Sequence, residues 1–194
     1  MKGTLLLVLS AFAGAHTAQA SDPGEFQLSV QLGVEHIDID NDQLIGDHGL
    51  HHDGAEIGFA MGWRLPSGLL FEASALHADH TDFVGIIFDG LGLEDDGVDS
   101  HQYAAAVGWQ FDQDRWRLTP KLGLARSRLT SSGDVLLTPD GARTDKLYAT
   151  VPFIEAGAIR RLGKHFALGV SWRKTFQDIG STQSLGATMH LFFD

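Results

Sequence analysis

Between Phe26 and Phe193 the chain repeats a two-residue alternation of large apolar with small or polar side chains in eight separate segments. A period of two is the mark of β-strands whose faces meet different surroundings. In the first segment Phe26, Leu28, Val30, Leu32 and Val34 share a face opposite Gln27, Ser29, Gln31, Gly33 and Glu35. The second sets Ile57, Phe59, Met61 and Trp63 against Glu56, Gly58, Ala60, Gly62 and Arg64. The third sets Leu69, Phe71, Ala73 and Ala75 against Glu72 and Ser74, and the fourth sets Tyr103, Ala105, Val107, Trp109 and Phe111 against Gln102, Ala104, Ala106, Gly108 and Gln110. The second half repeats this with Trp116 to Leu124, Phe166 to Trp172 and Leu185 to Phe193 as apolar faces. The sixth segment, about Tyr148 to Arg161, is apolar on both faces; Ile154, Ala156 and Ala158 are expected outward, Glu155 and Gly157 inward.

The connectors decide how the strands join. Pro66-Ser67-Gly68, the stretch Asp112 to Asp114, and Gly163-Lys164 are short enough for tight hairpin turns. The connectors near 40–54, 79–99, 129–146 and 177–183 are polar and mostly longer. Three turns on one side and four loops on the other give eight antiparallel strands with both termini on the turn side. A soluble barrel would turn its large apolar face inward. Here the other face is built of Gly, Ala and Ser with single charges and amides, which suits a narrow, filled interior. The apolar face, with Trp63, Trp109, Trp116 and Trp172 near strand ends, suits lipid and an interfacial aromatic girdle. The fold expected is all-β: an eight-stranded antiparallel transmembrane up-and-down β-barrel.

The first twenty residues read differently. Lys2, the apolar run from Leu5 and the small-x-small site Ala18-Gln19-Ala20 have the form of a signal peptide, which would leave 21–194 as the barrel domain. No later run is long and apolar enough for a membrane helix. There is no cysteine, which excludes disulfides and thiolate metal sites. The net charge of −11 argues against nucleic-acid binding. The stretches 40–54 and 79–99 hold eleven Asp or Glu and no Lys or Arg, so the loop side is expected to be acidic.

Val107-Gly108-Trp109-Gln110-Phe111 before a turn, Pro120-Lys121-Leu122-Gly123-Leu124 after it, and the run Phe153 to Phe176 resemble the outer-membrane protein A/X-type superfamily of eight-stranded barrels. The resemblance implies a bacterial outer-membrane location, lipid and lipopolysaccharide as surroundings, and the barrel-assembly machinery as a partner during biogenesis. That family usually ends on an aromatic residue; here Phe193 precedes Asp194. No motif in the resemblance is catalytic, and no cofactor is implied.

Candidate sites follow from the faces. Glu35, Glu56, Arg64, Glu72, Arg117, Lys121, Glu155 and Arg173 point inward and carry both signs, as an interior ion-pair network requires. The alternative is a gated, narrow pore for small solutes. His48, His51 and His52 beside Asp47 and Asp53 offer imidazole and carboxylate to a transition metal, without the spacing of a helical zinc motif. Phe83 to Phe88 is an apolar patch between acidic flanks. A lipid-A-modifying enzyme would need a nucleophile and base on one face; adjacent Ser100 and His101 point opposite ways in a strand. Arg126, Arg128 and Lys174 lie on the apolar face near the loop side, where lipid-A phosphates would sit. The function expected is a structural or surface-interaction role.

Overall fold

The computed structural model describes residues 24–39, 44–45, 53–80, 97–132, 135–137, 143–144, 146–177 and 180–193. Eight long strands carry the fold: β1 (Glu25–Ile39), β2 (Asp53–Arg64), β3 (Leu69–Asp79), β4 (Gly97–Trp109), β5 (Trp116–Ser132), β6 (Lys146–Arg161), β7 (Phe166–Gln177) and β8 (Gly180–Phe193). Every strand pairs antiparallel with its neighbour in sequence, and β1 pairs with β8 to close the sheet. Closure removes both sheet edges, the condition for a sheet to stand in lipid. Following paired Cα positions from Phe26 through Trp63, Phe71, Val107, Leu122, Ile154, Lys174 and Gln183 returns to β1 at His36, ten residues further on. That stagger is the geometric counterpart of strands tilted to the barrel axis.

The turns match their chemistry. Gly68 sits at φ 91 and closes the β2–β3 turn with Leu65, N to O, at 2.9 Å. Asp114, at φ 55, lets Gln113 pair with Trp116 in the β4–β5 turn. The β6–β7 turn is held by Leu162 N donating to Phe166 O at 3.0 Å. At the opposite end Leu44–Ile45 pairs with Val135 and Leu136, and Arg143–Thr144 pairs with Leu137 and Leu136, so a short ribbon joins the first and third loops.

The outer surface is the apolar face. Leu32, Phe59, Leu122, Leu124 and Leu185 are all more than half exposed, an arrangement that only lipid makes favourable. Phe26 touches Trp63 and Phe193 at ring-centroid distances of 6.4 and 6.0 Å, forming an aromatic cluster at the turn end.

Four expectations change. The connector near 177–183 is no long loop: Gln177 pairs with Gly180, leaving two residues between them. The strands also run past the expected loop boundaries, since β3 ends at Asp79, β4 starts at Gly97 and β5 reaches Ser132. Trp63, Trp109 and Trp116 lie at turn-end strand ends, but Trp172 is mid-strand in β7, opposite Ala156 and Leu185. The lumen is less polar than alternation implied. Leu70, Phe153, Ile159 and Phe192 are buried inside it, because apolar bodies fill volume beside the ion pairs that charges alone would leave empty.

Candidate functional site

The interior is the most organised part of the molecule. At mid-height Lys121 of β5 reaches across to Glu72 of β3 at 2.6 Å and to Glu155 of β6 at 2.5 Å. Arg173 of β7 holds Glu155 through Nε at 2.8 Å and Nη2 at 2.6 Å, and donates to Ser74 Oγ at 3.1 Å. Its guanidinium also lies 4.5 Å from the centre of the Phe153 ring. Four of the eight inward charges thus form one chain of contacts bridging opposite walls. The void left beside them is about 40 Å³, room for a few water molecules.

Arg64 and Arg117 belong to a second cluster at the turn end. Both hold Asp112: Arg64 at 2.5 Å and Arg117 at 2.6 Å. Arg117 also donates to Glu25, whose other oxygen accepts from Arg161 at 2.5 Å. The two guanidinium groups lie 5.1 and 4.7 Å from the centre of the buried Phe192 ring. Burial alone would raise the Asp112 carboxyl. Hydrogen bonds and charge from Arg117 and Arg64 outweigh that and hold it below the ordinary Asp range.

Glu35 and Glu56, towards the loop end, have polar rather than Lys or Arg partners. Glu35 accepts from Gln102 at 2.9 Å and from Ser100, with His80 Nε2 at 3.6 Å. Glu56 accepts from Gln31 at 2.5 Å, and Gln31 accepts in turn from Ser171 at 2.7 Å. Sequence reading missed Glu25 and Asp112, which sit in or beside turns where alternation assigns no face, and Arg161, whose parity on the sixth segment pointed inward. It also missed Gln31, Gln102 and His80 as lumen partners; only the parity of Gln31 and Gln102 pointed inward.

The outward faces of β2 to β5 form a regular lattice. Its rows, read from the pairing, are Trp63–Phe71–Val107–Leu122, Met61–Ala73–Ala105–Leu124, Phe59–Ala75–Tyr103–Arg126 and Ile57–His77–His101–Arg128. The imidazoles of His77 and His101 stack at 4.4 Å. Arg126 is held by Thr150 Oγ1 at 3.1 Å and lies 5.7 Å from the centre of the Tyr148 ring. Lys174 is opposite Ile154, four residues along β6 from the position opposite Arg126, and covers Phe176 at 5.8 Å. Ser100 is buried in the lumen while His101 faces out, so these two do not meet. His48, His51 and His52, and the patch Phe83 to Phe88, lie outside the described residues. Among the described residues no group of three or more His, Asp or Glu is placed to hold a metal ion.

A family model for the outer membrane protein beta-barrel domain matches residues 4–190. The chain belongs to that family. It is accordingly a protein of the bacterial outer membrane. The attachment invasion locus protein Ail of Yersinia pestis, solved in complex with the heparin analogue sucrose octasulfate, superposes with a TM-score of 0.59 at 13% identity, over 88% of this chain and 99% of Ail. Neisserial surface protein A gives 0.57 at 11% identity, over 90% and 100%. The N-terminal barrel domain of Pseudomonas aeruginosa OprF gives 0.53 at 12% identity, over 86% and 97%. At these identities the likeness is one of fold. No curated protein sequence matches the chain.

Proposed function

We propose that this barrel is a surface-interaction protein of the outer membrane with a filled, non-conducting interior. Its loop end faces outside the cell and its turn end faces the periplasm. Residues 1–20 serve as the export signal, and the barrel-assembly machinery inserts the domain. The observation that carries this reading is the cross-lumen chain Glu72–Lys121–Glu155–Arg173, which ties β3, β5, β6 and β7 together across the bore. Eight strands enclose little more than side-chain room, and here that room is used by paired charges and by Phe153 and Phe192. Reconstitution in planar bilayers tests it: the purified protein leaves the membrane insulating, whereas a steady single-channel conductance would establish the narrow-pore alternative.

The molecule works through its loop end and through the lipid around it. Arg126, Arg128 and Lys174 contact lipid-A phosphates in the outer leaflet, the arginines by bidentate hydrogen bonds and the lysine as a point charge. Support comes from Arg126 and Arg128 sharing one outward face beside His101. A lipid-modifying activity finds no support, because the Ser100 hydroxyl is turned into the lumen, away from any lipid substrate.

A further inference from the structure

Towards the loop end the outward face of β3 and β4 changes character within two rows. Ala75 faces Tyr103, then His77 faces His101, then Asp79 faces Asp99. Residues two apart on a strand share a face, so two imidazoles and two carboxylates stand together on the outer wall. All four residues are half-buried. His101 lies eight residues along β4 from Trp109. That is roughly 20 Å of height on a strand tilted by about 40°, near the upper limit of an apolar band about 25 Å tall. The four side chains are therefore reached from the headgroup and water side.

Each of these rows sets like against like. Like charges directly opposite one another are unfavourable in a sheet, and a register pairing His with Asp would have avoided both repulsions. The His77 and His101 rings stack with centroids 4.4 Å apart and planes 24° apart. Two imidazoles bound to one ion through bonds of about 2.0–2.1 Å have centroids roughly 5 Å apart, so a small rotation of the rings suffices. His77 Nδ1 is shut off from solvent and has no hydrogen-bond partner among the described residues. A ring nitrogen left in that state is unfavourable, and a bound ion would satisfy it. Arg128 is opposite His101 on β5. It borders that imidazole alone, whereas the acid row borders both.

We propose that His77 and His101 form a binding site for one divalent transition-metal ion, with Asp79 and Asp99 supplying negative charge from the next row. Imidazole is a ligand for zinc, nickel and copper ions, and copper(II) binds most tightly in the divalent series. The carboxylates act from a distance, since among the described residues no three such groups close on one point. Two protein ligands leave coordination positions open to water or to an outside ligand. The site draws on none of His48, His51 and His52, and it does not rest on the lipid-A contact proposed above.

The test uses the full barrel refolded in phosphatidylcholine vesicles, which hold no lipid A, and titrated with Cu²⁺. Electron paramagnetic resonance reads both the bound ion and the number of nitrogens coupled to it. Four proteins are compared: the native barrel, His77→Asn/His101→Asn, Asp79→Asn/Asp99→Asn, and His48→Asn/His51→Asn/His52→Asn. Unchanged urea midpoints without metal show that the variants fold. The expected result is one ion coupled to two nitrogens in the native barrel. The signal disappears in the His77/His101 variant and persists in the loop variant. The aspartate variant keeps the two-nitrogen signal but needs about tenfold more Cu²⁺ to reach it, the usual cost of removing outer-shell support. Loss of the signal in the loop variant would overturn the proposal, as would a single coupled nitrogen or no coupled ion in the native barrel. Equal affinity in the aspartate variant would overturn the part assigned to Asp79 and Asp99.

Discussion

At the scale of residues the decisive fact is that Glu72, Lys121, Glu155 and Arg173 are buried as mutually paired charges. Lys121 is only 9% exposed and sits between two carboxylates. Removing one partner of such a cluster leaves uncompensated charge in a poorly solvated place, at a cost of about 3–5 kcal/mol. Lys121→Leu is therefore expected to lower the urea midpoint strongly. Adding Glu72→Gln should restore part of the loss, because the second change neutralises one stranded acid. Additive losses in the double variant would show that the pair is not coupled. Asp112 gives a pH prediction. Its folded carboxyl is held below the ordinary Asp value of 3.8, so the native state binds that proton less readily than the unfolded chain. Its stabilising effect is present in full above the ordinary value and is lost as pH falls through the lower folded value. Stability measured against pH should show an acid limb that Asp112→Asn flattens; an identical limb in the variant would assign it to other groups.

Among the elements, the seam between β1 and β8 bears the closure of the barrel. Gly33 faces Gly186 across it, and a Cβ at Gly33 would lie 2.4 Å from Leu185 O and 2.7 Å from Gly186 Cα, both backbone atoms that cannot turn aside. Gly33→Val is expected to lose about 1–3 kcal/mol by overpacking. Gly163→Ala, in a turn with nothing within 4 Å of the added carbon, should be nearly neutral. Matching urea midpoints for the two variants would contradict this account of the seam. The elements are also where sequence reading was strongest. Alternation placed Leu122 and Leu124 outward and Lys121 inward because a strand offers only two sides. It could not say which acid Lys121 would meet, since pairing across a lumen depends on the stagger of the whole sheet. Phe153 and Phe192 have the inward parity of Glu155 and His190, but a face otherwise made of small and polar residues gives no sign that aromatic rings fill it. Asp112 and Glu25 escaped because turns and strand ends have no period to read.

For the whole molecule, the apolar outer face, the filled bore and the end-to-end asymmetry of the connectors describe one object. On the function proposed above it is a filled barrel that touches lipid along its length and meets the outside at its loops. The turns at the other end are short and hydrogen-bonded, as at Leu65–Gly68, and leave little for a partner to grasp. This account depends above all on which end faces out. Single cysteines placed at Asp95 and at Ser67, in a chain that has no other cysteine, can be reacted on intact cells with a membrane-impermeant maleimide. The account predicts labelling at position 95 and none at 67 until the outer membrane is permeabilised. Labelling at 67 alone on intact cells would contradict it.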